Sequence, residues 1–253
     1  MPSDTRSAAA PASLRGFGVR RSIALLRAFA VEQSQPEVFY GLLAADSVTL
    51  VQRHGSLQGK TVVDVGAGPV EFAAAFCAAG AHYLAVDSDP EAIRPTGVAG
   101  SAAVIARGAR LPLRTGSVDV AFSSNALEHV TDPADFADEL VRVVRPGGLV
   151  VVSYTNWLSP WGGHETSPFH YLGGRRAIRL YTRRYGHTPK NRVGENVFRV
   201  SVSFGLRWAR RQPDATLLEA RPRYYPRWTR GLLRVPGLRE VATWNLFLVL
   251  RKR

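Results

Sequence analysis

The chain holds one cysteine in 253 residues, Cys77, which excludes an intrachain disulfide and any four-cysteine zinc site. It has no apolar run long enough to cross a bilayer. The apolar stretch 22–31 is broken by Arg27, and no A-x-A-like cleavage site follows it, so the expectation is an intracellular, cytoplasmic protein. No G-x-S-x-G elbow and no P-loop is present. Acidic residues are scarce in the last third. Residues 171–253 hold 4 of them against 20 Lys and Arg, whereas residues 1–170 hold 16 against 13. The net charge of +13 therefore belongs to the C-terminal third, where it raises the local concentration of anionic partners. Arginine supplies nearly all of it, as GC-rich coding also does.

What is present is an ordinary globular composition, 45% hydrophobic, in a length that suits one large domain. No internal repeat and no strong linker appears. Residues 1–20, rich in Ala, Ser and Pro, read as a flexible tail, and 21–253 as a single domain: N-terminal helices over 21–58, a core over 59–155, and a remainder over 156–253. A helix is predicted over 21–33 with Ile23, Leu26 and Phe29 on its inner face. Ser34 and Glu37 form an S-x-x-E capping box for a second, with Pro36 in its first turn and Phe39, Leu42, Leu43 and Leu50 along it.

From Lys60 the pattern alternates. Strands are predicted at 61–65, 83–86, 103–106, 118–123 and 149–154. A small-residue helix at 73–79 ends at Gly80, and Asp132 caps a helix that Arg145-Pro146-Gly147-Gly148 stops. Two helices, 174–185 and 201–211, and strands at 216–220 and 245–250 complete the chain. The fold class is α/β: a Rossmann-like, doubly wound, mostly parallel seven-stranded sheet with an N-terminal helical extension.

A nucleoside pocket follows from the order of parts. Asp64-Val65-Gly66-Ala67-Gly68-Pro69-Val70 lies between a strand and a helix, where glycines let the backbone turn sharply against a ligand. Asp87 ends the second strand 21 residues after Gly66, placed to accept both ribose hydroxyls. A dinucleotide would want a third glycine and a helix start free of acids for its pyrophosphate; position 71 is Glu71. S-adenosylmethionine, a sulfonium cation without phosphate, tolerates that acid.

The run Val63-Asp64-Val65-Gly66-Ala67-Gly68 resembles the first motif of class I S-adenosylmethionine-dependent methyltransferases, and Asp87 the acid of their second. Leu111-Pro112-Leu113, with Gly116-Ser117-Val118-Asp119-Val120, resembles their "LPF…GSFDVV" signature. Ser123-Ser124-Asn125-Ala126-Leu127-Glu128-His129-Val130 resembles their fourth-strand motif, Arg145 to Leu149 their turn into strand five, and 245–250 their last strand. The likeness is firm over about 60–155 and is nearest to the subgroup related to quinone-pathway methyltransferases and to uncharacterised actinobacterial members. It implies S-adenosyl-L-methionine as cofactor. By it, Asp64 and the backbone of Gly66, Ala67 and Gly68 hold the cofactor's amino-acid end, Asp87 and Ser88 its ribose side, and Asn125 and Leu127 the methyl-sulfonium region. Two positions depart from the family. Val70 replaces a common third glycine. Arg107 replaces an Asp that contacts the adenine amino group; arginine cannot accept that bond, which leaves the backbone near Gly108 and Ala109.

For the acceptor, an alcohol or phenol would need a base near neutral pH, and His129, His164 and His170 are the candidates. Trp157, Trp161, Glu165, Phe169 and Tyr171 share the loop after strand five with two of them, a mix suited to a small-molecule or lipid-linked acceptor bearing a ring or apolar part. His164, Glu165 and His170 match no strong zinc spacing, so no metal is expected. The Asn/Asp-Pro-Pro-Tyr/Phe motif of amino-methylating nucleic-acid enzymes is absent, and Cys77 lies in a helix, poorly placed for pyrimidine attack. Arg221, Arg223 and Arg227 among Tyr224, Tyr225 and Trp228 read as a platform for RNA, for an anionic membrane surface, or as a solvated face. The competing readings are an RNA methyltransferase using this basic third, and a non-catalytic binding module that kept the fold.

Overall fold

The computed structural model describes residues 18–32, 34–68, 70–91 and 97–253. Most of the expected tail lies outside them. Helix α1 (Val19–Ala30) and helix α2 (Pro36–Gln52) precede the alternating core: β1 (Thr61–Val65), α3 (Val70–Ala78), β2 (His82–Asp87), β3 (Ser101–Ile105), β4 (Val118–Ser124), α4 (Pro133–Val143) and β5 (Val144–Thr155). Then come α5 (Gly174–Tyr185), α6 (Val202–Arg211), β6 (Ala215–Pro222), α7 (Leu238–Ala242) and β7 (Asn245–Lys252). The seven strands form one sheet in the order β3-β2-β1-β4-β5-β7-β6, parallel except for β7.

Alternation along the strands divides the core between the two faces of the sheet. Val63, Val65, Ala121, Val150, Val152, Leu246 and Leu248 join α4 and α6 through Phe136, Leu140 and Leu206. Val62, Val120, Phe122, Val151, Phe247 and Val249 join α1, α2 and α3 through Leu25, Phe39, Leu43, Phe72 and Phe76. Because β7 is antiparallel to both β5 and β6, β6 runs with the parallel strands. The carboxyl ends of β1, β2, β4, β5 and β6 and the start of β7 thus share one edge. In open α/β sheets that edge binds the ligand.

Three local expectations are corrected. The inner face of α1 is Arg21, Ser22, Leu25 and Ala28, while Ile23 and Leu26 are exposed. A charged residue sits inward because Asp46 on α2 meets it there, and no apolar periodicity reports such a pair. The capping box does not form: the residue before α2 is Gln35, without a side-chain bond, and Ser34 Oγ donates to the Val31 carbonyl. Pro36 does open the helix, where its missing N–H costs nothing. Arg145–Gly148 does follow the end of α4, but strand five begins at Val144 and not at the expected 149, since Val144 already pairs with Val118 before a register shift. Asp132 caps α4 as expected, accepting from the amides of Ala134 and Asp135.

Candidate active site

The turn after β1 is tight. Gly66 has φ +76°, and a Cβ there would collide with Ala126 at the end of β4. The amides of Gly66 and Ala67 donate to the Val86 carbonyl at 2.8 and 3.2 Å, which ties the turn to β2. Those N–H groups are thereby withheld from a ligand phosphate. Asp64 is 2% exposed; its Oδ2 accepts from Tyr83 Oη at 2.5 Å, and its Oδ1 has no partner. Burial, with Asp87 adding its charge, pushes its carboxyl up to about 7, against the opposing pull of the Tyr83 bond and of Arg223. Asp87 is half-buried and its Oδ1 accepts from the Asp89 amide at 2.9 Å; Ser88 is exposed beside it. Gly108 packs where a Cβ would strike the Phe136 ring, and Arg107 and Ala109 are exposed. Val70 is exposed at the start of α3, so no helix contact there depends on a glycine.

Asn125 follows β4 with φ +57°, a conformation asparagine tolerates better than most residues. Its Oδ1 accepts from Asn245 Nδ2 at 2.8 Å, linking the ends of β4 and β7. Beneath it lies Arg223, fully buried just past β6. Its guanidinium donates to Ser124 Oγ at 2.7 Å, Ser153 Oγ at 2.5 Å and Ser47 Oγ at 2.6 Å, and its carbonyl accepts from Arg21. Arg21 in turn grips Asp46 through two bonds of 2.5 and 2.6 Å. Arg221 and Tyr224 are buried as well. The reading of Arg221, Arg223 and Tyr224 as an external nucleic-acid platform is therefore corrected: these side chains brace the site from within.

The 3-10 turn Leu127–His129 carries the next group. Leu127 is buried; Glu128, 1% exposed, spends Oε1 on the Thr155 amide at 3.0 Å and leaves Oε2 without a partner. Burial raises its pKa. His129 is exposed, and its Nδ1 lies 2.7 Å from the Asn196 carbonyl. A carbonyl only accepts, so Nδ1 is the donor, and in the neutral ring Nε2 carries the lone pair. His164 comes to within 5.1 Å of His129, ring centre to ring centre. Burial, with His129 and His170 adding to it, drops its pKa to about 4, and its Nε2 is buried without a partner. One donor atom from each of Glu128, His129 and His164 lies within 4.8 Å of the others. Gly162 and Gly163 make the approach possible, since a Cβ on either would collide, with the Trp157 carbonyl and the His170 ring respectively.

The rest of the loop separates into parts. His170 is 1% exposed, wedged against Trp157 and Tyr171, with Nε2 3.2 Å from the Ser159 carbonyl. It braces the loop and does not face an acceptor. Glu165 binds the amides of Lys190 and Asn191, Trp157 lies under Arg199, and Tyr171 Oη donates to the Leu158 carbonyl. Phe169 is half-buried in the 3-10 turn Phe169–Leu172. Only Trp161 joins the wall at the sheet edge. It stacks on Trp244 at 4.1 Å, and Phe29 and Tyr224 pack on Trp244 at 4.4 and 4.7 Å. No local pattern marks Phe29, Trp244 or Asn245 as site residues, or gives Arg223 and Tyr224 an internal role, because three separate stretches, α1, the chain just past β6 and the start of β7, bring them together.

Away from the edge, a cavity of about 540 Å³ lies between α6, β6 and the 3-10 segment Arg227–Arg234. Arg210, Arg227, Arg230, Arg234 and Trp228 line it, with no acidic side chain. Trp228 is 78% exposed, and Val235, Leu238 and Val241 are exposed beyond it. Among the described residues no helix is long and apolar enough to cross a membrane.

A family model described as a methyltransferase domain matches residues 63–152. An uncharacterized methyltransferase of Mycobacteroides abscessus is 50% identical over 248 residues, covering 93% of this chain and 95% of its own. One from Mycolicibacterium vanbaalenii is 52% identical over 241 residues, covering 91% and 94%. Among solved structures, an S-adenosylmethionine-dependent methyltransferase from Mesorhizobium loti superposes with a TM-score of 0.56 at 21% identity, covering 84% of this chain and 98% of that one. A SAM-dependent methyltransferase from Aquifex aeolicus gives 0.53 at 13% identity, covering 90% and 98%. At such identities the structural likeness shows a shared fold.

Proposed function

Because the chain belongs to the class I S-adenosylmethionine-dependent methyltransferases, with relatives in mycobacteria, we propose that its acceptor is a hydroxyl-bearing small molecule or lipid, deprotonated at Glu128, His129 and His164. The cofactor supplies a methyl group made electrophilic by its sulfonium. The chain's own residues hold it and prepare the acceptor. Asp64 has a buried carboxylate oxygen in want of a donor, which suits an ammonium group. Asp87 has a second oxygen for the ribose, and Asn125 is pinned by Asn245 at the strand end between them. Trp161, with Phe29 beside it, gives an apolar acceptor a surface that the buried rings of Trp244 and Tyr224 back from within.

The observation that carries this reading is the state of His129. Its Nδ1 proton is committed to the Asn196 carbonyl, so an accepting Nε2 is fixed on an exposed ring directly after the Asn125–Leu127 segment. His170 takes no part, being enclosed. A lipid source for the acceptor is favoured over RNA, since aliphatic Val235, Leu238 and Val241 beside the arginine-lined cavity suit acyl chains and cannot stack on bases.

The test is calorimetric titration with S-adenosylmethionine and S-adenosylhomocysteine, wild type against Asp87→Ala. Micromolar binding that weakens about tenfold in the variant, about 1.4 kcal/mol, is expected. Absence of binding to wild type overturns the cofactor site as drawn.

A further inference from the structure

The cluster at the rim of the site has more order than a proton acceptor requires. A lone general base needs one lone pair and one orienting bond. Here three donor atoms of different side chains, from two distant stretches of chain, lie within 4.8 Å of one another. Two of the three side chains carry an unpartnered buried atom, Glu128 Oε2 and His164 Nε2. Leaving such buried atoms unpaired is costly. They do not bond each other in the structure, where neither atom has a hydrogen-bond partner. His129 has already placed its proton on the Asn196 carbonyl, so its second nitrogen is a lone pair too.

A backbone carbonyl that fixes the far nitrogen of an imidazole is the usual support of a metal-binding histidine. Glu128 is supported in the same way, by the Thr155 amide on its other oxygen. His164 is delivered by a non-glycine backbone at φ +50°, after two glycines with no room for a Cβ. Residues in that region persist when their surroundings hold them, and they gather at functional sites.

We propose that Glu128, His129 and His164 form a divalent cation site that binds zinc or a similar first-row transition ion. Two imidazoles and one carboxylate are a ligand set for zinc, manganese or ferrous iron; magnesium and calcium prefer all-oxygen shells. Ligand atoms on a tetrahedral zinc stand about 3.3 Å apart, so the cluster must close a little. His129, the exposed member, is the one with freedom to do so. Three protein ligands leave an open position, and the acceptor oxygen is the group that would take it. A hydroxyl bound there gives its proton to solvent at lower pH, because the cation stabilises the oxygen anion left behind. This deepens the preceding reading: the cation, in place of a bare imidazole, would face the acceptor. The acceptor class narrows to hydroxyls with a ligating oxygen, phenols and vicinal diols foremost.

The experiment uses the full-length chain with any affinity tag removed, stripped with chelator and dialysed. Zinc chloride is titrated by calorimetry, and cobalt(II) chloride by its visible absorption, which reports tetrahedral nitrogen and oxygen ligation directly. One equivalent should bind to wild type, and His164→Gln and Glu128→Gln should each weaken it by about 100-fold or more. S-adenosylhomocysteine is titrated into the same samples as the check of fold and cofactor site. Cation binding lost in variants that keep S-adenosylhomocysteine binding supports the site. No binding to wild type, or binding indifferent to both substitutions, overturns it. A wild type that binds zinc but not S-adenosylhomocysteine would keep the cation site and overturn the cofactor reading instead.

Discussion

Asp64 carries two demands in one side chain. It lies one residue before the end of β1, inside the protein and bound to Tyr83, yet it must face a cationic ligand group under the proposed function. With its carboxyl pushed to about 7, the folded chain keeps a proton that the unfolded chain releases above pH 4. The stability this proton supports is complete below about pH 4 and is lost as pH rises towards 7. Asp64→Asn removes the titration. Relative to the variant, wild type should lose up to about 4 kcal/mol between pH 4 and 8, read from urea midpoints. Parallel profiles would mean that Asp64 stays ionised throughout. Asp64 and Asp87 are legible in the sequence because a glycine turn and a strand end mark them locally. Arg223 is not, since its role depends on Ser47, Ser124 and Ser153 converging from three elements. His164 is legible as a residue type, but its partners are not. The loop brings it to His129 and Glu128, which lie 35 and 36 residues away in the sequence, and not to its neighbours Glu165 and His170.

At the scale of elements, α1 and α2 are joined to the sheet through a buried ion pair. Arg21 and Asp46 are each 1% exposed, and Arg21 reaches on to the Arg223 carbonyl at the end of β6. Breaking such a pair from one side strands a charge in the interior. Asp46→Ala should cost about 3–5 kcal/mol, measured by chemical denaturation. The combined Arg21→Met, Asp46→Leu replacement should recover most of that loss, because apolar side chains of similar size carry no desolvation penalty. Equal losses in both would show that the pair matters only for packing. The strands and α4 to α6 were readable because their periodicity and the Asp132 cap are local signals. The inner face of α1 was not, because its anchor is a charge whose partner lies 25 residues away.

At the scale of the whole molecule, the positive charge of the last third divides in two. Arg221 and Arg223 are internal struts, while Arg210, Arg227, Arg230 and Arg234 surround an open cavity. The bulk charge was plain from composition, but this division follows only from the sheet order. The segment between β6 and β7 leaves and rejoins the sheet at the ligand edge, while its arginines face a cavity that α6 also lines, away from that edge. Replacing Arg227, Arg230 and Arg234 together with Gln should weaken sedimentation with phosphatidylglycerol vesicles roughly 100-fold, at about 1 kcal/mol per arginine. Unchanged vesicle binding, or binding only to RNA, would remove the membrane from the proposal.

The position of β7 also sets an order of events. It lies between β5 and β6, and β6 has no other neighbour in the sheet. During synthesis, β6 leaves the ribosome with nowhere to pair and must wait for the strand that follows it. Until β7 arrives, Arg223 has no Asn245 carbonyl to receive its amide, and Asn125 lacks the amide of Asn245. The ligand edge is thus the last part of the sheet to be assembled, and a nascent chain holding every glycine and acid of the nucleoside pocket is still an unfinished catalyst.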